Sequence, residues 1–237
     1  MGSKLGPNLI TDSLILYVDP ANVKSNEGGV IMADMKANYV DNTLTSAQMS
    51  IGGDPKVITS NGDGGNFRYY PGSNFSLIDW ATTEWTISCW GLRDNSTTHE
   101  NRMWDLLNAG NGHLRLTLDS TPDLNFRPAG GSSYNLISGG TSTTGVWYNI
   151  VITKSGMSSG GDANYVMYNN GVQAATNTSD DLITDSALTY VRIMRSPDDD
   201  QVNVSWDGDF GPFSIYSKVL TAAEVLQNYN ALKSRFI

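Results

Sequence analysis

Short runs of alternating apolar and polar residues recur along most of the chain and predict β-strands. In EWTISCW, residues 84–90, Trp85, Ile87 and Cys89 fall on one face of a strand and the residues between them on the other. Runs of this kind follow one another at roughly 8–12-residue spacing with turn residues between them, which is typical of a β-sandwich or barrel. The other predicted strands cover residues 14–18, 57–59, 67–70, 103–107, 113–118, 124–126, 134–137, 146–153, 165–168, 172–174, 188–194 and 202–206.

A helical pattern occurs at the C-terminal end of the chain. Thr221 followed by Glu224 has the spacing of a capping box, in which each side chain accepts a hydrogen bond from the other residue's backbone N–H. Apolar residues then recur at helical spacing, at Val225, Leu226, Tyr229, Leu232 and Phe236. We predict an all-β fold, an antiparallel β-sandwich, with one short amphipathic helix at about residues 221–235 that closes an end of the sandwich.

Turn residues predict where the strands reverse. Asn169-Asn170-Gly171 lies between two apolar runs and indicates a hairpin, because a two-residue type I′ turn favours Asn-Gly. Asp207-Gly208-Asp209 predicts another turn, ahead of an apolar strand over residues 210–216. Pro212 lies within that strand and cannot donate a backbone hydrogen bond, so the strand is predicted to lie at a sheet edge or to carry a bulge.

Composition and charge exclude several classes of protein. The formal net charge is −9, and no run of Lys or Arg supplies the basic surface that a nucleic-acid-binding protein needs. No apolar run approaches the roughly 18 residues of a membrane span, and no signal peptide is visible at the N-terminus. Cys89 is the single cysteine, which excludes an internal disulfide, and its apolar neighbours predict a buried, inert thiol. We expect synthesis in a reducing cytoplasm, no nucleic-acid partner and no membrane insertion.

The sequence predicts a single domain. No stretch has the length and composition of an interdomain linker, and no repeat of fixed period occurs. Residues 1–13 are polar and unpatterned, and we predict an N-terminal arm that either docks onto a partner or is simply an ordered terminus. Residues 14–237, including the helix, are predicted to form the domain.

Five segments, in their order and spacing, carry a resemblance to a known family. They are LILYVDPANVKSN (14–26), EWTISCWGL (84–92), GVWYNIVIT (145–153), YVMYNNGVQ (165–173) and DFGPFSIYSKVLTAAEVLQNYNALKSRF (209–236). Together they resemble the laminin-G-like jelly rolls of the concanavalin A-like lectin/glucanase superfamily, of the type found in tailed-phage virion proteins. The resemblance implies a jelly-roll sandwich, exposure on a virion beside other virion proteins and, by family analogy, a homo-oligomer.

The catalytic signature of the superfamily's glucanases is missing from the sequence. That signature, Glu-x-Asp-x-x-Glu on one strand, places the nucleophile and the acid on the same face. The glutamates here are too far apart to share such a motif, at Glu27, Glu84, Glu100 and Glu224. The chain has two histidines and no Gly-x-Ser-x-Gly elbow. We therefore predict that the protein is not an enzyme.

An acidic loop is the candidate metal site. Asp198, Asp199 and Asp200 supply the carboxylate oxygens that Ca²⁺ prefers, and many relatives bind calcium at the rim of the sandwich. The alternative is a solvated acidic loop with no bound ion. No other cofactor is predicted.

Three tryptophans are the candidate glycan-binding residues. Trp80, Trp104 and Trp206 lie in predicted loops or near strand ends, where an exposed ring would give a sugar an apolar platform. The alternative is that the core of the sandwich takes up these rings.

Three functional hypotheses follow from these observations and the resemblance. The first is a noncatalytic structural or adhesion protein located on a tailed-phage virion, as a capsid decoration, fibre or collar component, that contacts host-surface glycans. The second is a free-standing lectin assisted by calcium. The third is a glycoside hydrolase with a site that carries no known motif.

Overall fold

The computed structural model describes residues 8–22, 49–61, 67–69, 78–94, 101–107, 112–118, 123–128, 137–156, 163–179, 188, 190–194 and 206–237. Within these residues the protein is an antiparallel β-sandwich with one α-helix, and the predicted fold class is confirmed. The elements are β1 (Leu14–Val18), β2 (Met49–Gly52), β3 (Val57–Asn61), β4 (Phe67–Tyr69), β5 (Trp85–Arg93), β6 (Asn101–Leu107), β7 (Gly112–Leu118), β8 (Asp123–Pro128), β9 (Ile137–Thr141), β10 (Trp147–Ser155), β11 (Ala163–Asn169), β12 (Val172–Ser179), β13 (Tyr190–Ile193), β14 (Asp207–Tyr216), α1 (Ala222–Leu232) and a 3-10 turn (Lys233–Arg235). The strands predicted over residues 134–136 and 202–205 lie outside the described residues.

The strands form two sheets. In the eight-stranded sheet the order is β12-β11-β10-β5-β14-β3-β2, and β1 also pairs with β14. In the six-stranded sheet the order is β4-β13-β6-β7-β8-β9. Between β11 and β12, Asn170 and Gly171 both have positive φ, at 51° and 79°, so the predicted type I′ hairpin is confirmed.

Strand β14 is central to the eight-stranded sheet. One of its edges pairs with β5, and the other pairs first with β3 and then with β1. Its register with β5 shifts between Phe210 and Phe213, so the bulge predicted from Pro212 is confirmed. The turn predicted at Asp207-Gly208-Asp209 is wrong, because these residues form the first part of β14. The carboxylate of Asp209 accepts a hydrogen bond from the Thr59 hydroxyl at 2.6 Å, which holds it within the sheet.

Large aromatic side chains fill the space between the sheets. The ring centroid of Trp85 lies 5.8 Å from that of Trp80, 6.1 Å from Phe126 and 6.3 Å from Tyr165. Cys89 lies on the same face of β5 as Trp85 and is buried, which raises the pKa of its thiol, so the prediction of a buried thiol is confirmed. Burial likewise raises the pKa of Tyr165 to about 12.

Helix α1 covers the outer face of the eight-stranded sheet, so the prediction that it closes an end of the sandwich is wrong. Trp90 points to this outer face, as the alternation in β5 predicts, and its ring stacks on Tyr229 at 5.6 Å and on Phe236 at 4.6 Å. Trp147 of β10 packs against the same Phe236 ring at 4.6 Å. Of the described helices, none has the length and apolar character needed to cross a membrane.

The described part of the predicted N-terminal arm packs against this helix. The backbone N–H of Ile10 donates to the Asn228 side-chain oxygen at 2.7 Å, and the Tyr216 hydroxyl donates to the Ile10 carbonyl at 3.1 Å. The Gln227 amide donates to the Asn8 carbonyl at 2.8 Å. Residues 8–13 therefore belong to the folded body of the protein.

Replacing Thr221 by alanine is expected to lower the free energy of unfolding by about 1 kcal/mol. The predicted capping box is present: the Thr221 hydroxyl accepts from the Glu224 N–H at 3.3 Å, and the carboxylate accepts from the Thr221 N–H at 2.8 Å. The pKa of Glu224 is lowered by its hydrogen bond from Lys218 and by that from Thr221. Equilibrium unfolding in urea measures the change, and serine at position 221 is the control because it keeps the hydroxyl. Equal loss in both variants would contradict a capping role.

Candidate functional site

The three tryptophans predicted to bind a glycan lie in the core, and that prediction is wrong. Trp80 and Trp104 are fully buried, and Trp206 is 1% exposed. The Trp104 ring packs edge-on against Phe213 at 6.3 Å, and the Trp206 indole N–H donates to the Leu92 carbonyl at 3.1 Å. Rings of this size at the ends of strands stabilise the sandwich more when they are buried, because each one removes a large apolar area from water. None of the three presents a platform to a sugar.

The predicted calcium ligands, Asp198, Asp199 and Asp200, lie outside the described residues. Within the described part of the chain, no group of three or more Asp, Glu, His or Cys side chains is placed to hold a metal ion. Calcium binding therefore stays a prediction.

Two buried cations at the ends of strands hold loops in place. The Lys154 ammonium donates to the carbonyls of Thr83 and Gly156 at 3.0 and 3.1 Å, and burial lowers its pKa. The Arg93 guanidinium donates to the Ser142 carbonyl and the Thr144 hydroxyl, both at 3.3 Å. These contacts give both residues structural roles.

A row of charged residues in register crosses the six-stranded sheet. Asp105 of β6 pairs with Arg192 of β13 on one side and with Arg115 of β7 on the other. Arg115 pairs in turn with Arg127 of β8. Directly paired residues of neighbouring strands point to the same face of a sheet. The four side chains thus form one row across four strands, and the backbone register extends it to Arg68 of β4.

This row lies on the outer face of the sheet. The residues that alternate with it are apolar and belong to the core, at Leu106, Leu114, Leu116, Phe126, Val191 and Ile193. Because successive side chains of a strand point to opposite faces, the charged residues point away from the core.

A second row lies beside the first. Arg102 of β6 pairs with Thr117 of β7, and Thr117 pairs with Asn125 of β8. On β7 and β8 the second row is two residues along the strand from the first, or about 7 Å, and on β6 it is three because of a bulge. We call this outer surface the arginine face and define it by Arg102, Asp105, Arg115, Thr117, Asp123, Asn125, Arg127 and Arg192.

Burial differs along the arginine face. Asp105 is fully buried, and Arg192 and Arg102 are 5% and 9% exposed, whereas Arg115 and Arg127 are half-buried. A guanidinium nitrogen of Arg102 lies 3.9 Å from the Asp105 carboxylate. The arginine face thus combines deep polar groups with two arginines that remain partly accessible.

The arginine face is chemically distinct from the rest of the molecule. Four of the eight arginines in the chain belong to it, although the chain as a whole has a net charge of −9. A guanidinium group presents a planar fork of N–H donors that binds carboxylates and hydroxyl oxygens with defined geometry. The outer face of the other sheet is different, since an apolar cluster joins Tyr168 and Tyr216 of the sheet to Val225 of α1. The arginine face is therefore polar and largely buried, and Arg115 and Arg127 are its partly accessible arginines.

The arginine face was not among the predicted sites, although part of its pattern is visible in the sequence. The segment LRLTL at residues 114–118 alternates strictly, so Arg115 and Thr117 share the polar face of one strand. The alignment of Arg115 with Arg127 and Asp105 depends on which strands pair and in which register, and strand pairing is a long-range property.

A sequence model of the laminin G type, described as the concanavalin A-like lectin/glucanases superfamily, matches residues 63–226, which is more than half of the chain. The chain belongs to this superfamily. A comparison with curated protein sequences gives no significant match.

Solved structures similar to this superfamily member include parts of sialidases, a glycosidase domain and a toxin. Trypanosoma rangeli sialidase in complex with the inhibitor DANA matches at 14% identity and a TM-score of 0.68, over 100% of this chain and 36% of the sialidase chain. Domain 4 of AbnA, a GH43 extracellular arabinanase from Geobacillus stearothermophilus, in complex with arabinotriose, matches at 15% identity and a TM-score of 0.65, over 92% of this chain and 98% of that domain. Botulinum neurotoxin type C is a toxin whose cell entry depends on interaction with two ganglioside molecules. A structure of it matches at 15% identity and a TM-score of 0.68, over 93% of this chain and 51% of the toxin chain.

The chain therefore spans about a third of the sialidase chains it matches. At these identities the likeness shows the shared fold alone.

Proposed function

We propose that this chain is a noncatalytic carbohydrate-binding domain that binds glycan on the arginine face. The observation that carries the proposal is the register that places Arg115 and Arg127, the two partly accessible arginines, side by side on β7 and β8. Side chains fixed on paired strands make a more rigid site than side chains on loops, so less ordering entropy is lost on binding. The match to domain 4 of the arabinanase supports the proposal, because a domain of the same extent was solved with a bound oligosaccharide.

The described carboxylates of the arginine face favour binding over catalysis. Glycoside hydrolysis uses two carboxyl groups, one acting as acid and the other as nucleophile or base, with access to the sugar between them. Asp105 is fully buried beside Arg102, and the Asp123 carboxylate accepts a hydrogen bond from the Thr141 hydroxyl at 3.3 Å. In this arrangement Asp105 orients guanidinium groups and does not reach a substrate.

The lectin hypothesis is now better supported than the virion hypothesis. The structural neighbours include carbohydrate-binding domains, while the virion location, the virion-protein partners and the homo-oligomer inferred from the resemblance stay predictions. A host-surface glycan is compatible with both hypotheses, since an adhesion protein on a virion would use the same face.

Replacing Arg115 and Arg127 together by glutamine is expected to lower affinity for the bound glycan by about tenfold or more. A hydrogen bond to a charged group contributes about 1.5–3 kcal/mol, and each 1.4 kcal/mol is a factor of ten in affinity. An array of neutral and charged glycans identifies the ligand, titration calorimetry measures the affinity, and chromatography of the supernatant tests for sugar release.

Lys56 provides the matched control, because this exposed cation lies between β2 and β3, on the other sheet. Its change to glutamine removes one positive charge from the other sheet, where the double variant removes two from the arginine face, and is expected to leave the affinity unaltered. Thermal melting establishes that the variants are folded. Absence of binding across the array, unchanged affinity in the double variant, or release of sugar would each overturn the proposed function.

A further inference from the structure

A small cavity lies beneath α1, between the helix and the outer face of the eight-stranded sheet. Its lining includes Ser88, Asn149 and Ser214 of the sheet and Asn228 and Leu232 of the helix. About 10 Å³ of the cavity is open to the centre of a water molecule. This is the size of a site for one water, and it is too small for an organic ligand.

The polar residues of the lining are deeply buried. Asn149 is 2% exposed, Asn228 is 6% exposed, and Ser88 and Ser214 are 7% exposed each. Ser88 of β5 pairs directly with Ser214 of β14, so both hydroxyl groups lie on the same face of the sheet. None of the described residues that line the cavity carries a charge. A cavity of this chemistry favours a neutral polar guest over an ion or an apolar molecule, because buried polar groups need hydrogen-bond partners.

The side-chain oxygen of Asn149 is the atom that most needs such a guest. The amide nitrogen of Asn149 donates to the Cys89 carbonyl at 3.1 Å and to the Ser88 hydroxyl at 3.3 Å. A carbonyl can only accept, so the contact with Cys89 fixes which end of the amide carries the nitrogen. The Oδ1 atom is fully buried, and no group in the described part of the chain donates to it. A buried acceptor is costly to leave unpaired, so a donor held in the cavity stabilises the fold.

The other polar groups of the lining can complete the hydrogen bonds of a water molecule. The Ser88 hydroxyl accepts from Asn149 and keeps its own hydrogen to donate. Asn228 donates one N–H to the Tyr216 hydroxyl at 3.0 Å, and its amide has a second N–H. Water both donates and accepts, and a buried water typically makes about three hydrogen bonds. Its chemistry therefore matches this mixture of donors and acceptors.

We propose that one water molecule is bound in this cavity as a fixed part of the fold. It donates to the Oδ1 atom of Asn149 and to the hydroxyl of Ser214, and it accepts from the hydroxyl of Ser88. The water thereby links β10, β5 and β14 beneath α1. The site belongs to the sheet that does not carry the arginine face, so the inference is independent of the proposed function.

A crystal structure of the wild-type protein, at a resolution that shows ordered water, tests the proposal directly. One peak of electron density is expected in the cavity, at about 2.6–3.2 Å from the Asn149 Oδ1 atom and from the two serine hydroxyls. Absence of a peak would overturn the proposal. A peak at about 2.0–2.6 Å from these oxygens would also overturn it, because such distances belong to a metal ion.

A valine at position 214 tests the bonds of the water. Ser214→Val removes one partner and places methyl groups in the cavity, so the peak is expected to disappear. The equilibrium constant for unfolding is expected to rise about tenfold, because the Asn149 Oδ1 atom then lacks a donor. A peak that stays in place in the folded variant would overturn the proposed site.

Ser217→Val is the matched control. Ser217 follows the same strand but is exposed, and its hydroxyl donates to the Ser13 carbonyl at 3.4 Å outside the cavity. The control is expected to keep the peak and to change the unfolding constant by about twofold or less. Loss of the peak in the control would contradict a site held by Ser214. The wild-type structure decides the question even where Ser214→Val does not fold.

Discussion

Replacing Arg235 by methionine is expected to lower the free energy of unfolding by about 2–3 kcal/mol. Two guanidinium nitrogens of Arg235 donate to the two carboxylate oxygens of Asp19, each at 2.8 Å. The Asp19 side chain is 7% exposed and also accepts hydrogen bonds from the Tyr17 hydroxyl and the Ala21 N–H. Methionine keeps much of the side-chain volume and leaves the buried carboxylate without its cation. The Arg235 side chain is 24% exposed, so the expected loss is below that of a fully buried pair.

A double-mutant cycle isolates the ion pair from packing. Asp19→Asn in the Arg235→Met background is expected to recover part of the stability, because the unpaired charge is removed together with its partner. Lys233→Met is the matched control from the same 3-10 turn, since Lys233 is exposed and lies over the Tyr229 ring at 5.5 Å. Urea unfolding of the four proteins measures the coupling. Additive effects of the Asp19 and Arg235 changes would contradict a coupled pair.

This ion pair joins the two segments that carry the family resemblance. Asp19 belongs to the opening LILYVDPANVKSN, and Arg235 belongs to the closing QNYNALKSRF. The sequence shows each segment as a local pattern, but their contact spans more than two hundred residues of chain. Long-range contacts of this kind depend on the whole fold and leave no local periodicity, so the pair could not be predicted.

Local patterns predicted the strands well because alternation is a direct consequence of strand geometry. The alternation in EWTISCW places Trp85 and Trp90 on opposite faces, and the structure has Trp85 between the sheets and Trp90 beneath α1. The same alternation could not distinguish an outer face covered by a helix from one exposed to solvent. For that reason the helix was expected at an end of the sandwich.

The candidate site was predicted poorly because it depends on strand register, which the types of the side chains do not reveal. Trp80, Trp104 and Trp206 have the chemistry of a sugar platform, but burial of their rings stabilises the core. The arginine face consists of residues that are unremarkable one at a time. Arg115 and Arg127 become a site only when β7 and β8 pair in the observed register.

Replacing Gly208 by alanine is expected to destabilise the protein by about 3–5 kcal/mol, which exceeds the other effects considered. Gly208 has φ of +136°, in a region that side chains rarely adopt, and it pairs with Arg93 of β5 and with Ser60 of β3. A Cβ at this position would lie 2.2 Å from the Leu92 carbonyl oxygen and 2.9 Å from the Asp94 backbone nitrogen. Both neighbours are backbone atoms, one in β5 and the other in the residue that follows it, so relief of the clash requires β14 and β5 to move apart.

Gly140 separates the clash from the backbone strain. It also has positive φ, at +94°, but among the described residues other than its chain neighbours no atom lies within 4 Å of the position of its Cβ. Gly140→Ala is therefore expected to cost about 1 kcal/mol, from backbone strain alone. Thermal and urea unfolding of both variants measure the difference, and soluble yield replaces them where Gly208→Ala does not fold. Similar losses in the two variants would show that φ alone accounts for the glycine at position 208. A much larger loss at position 208 would establish that the close approach of β14 and β5 requires glycine at this position. It would also support the central position of β14 in the sheet.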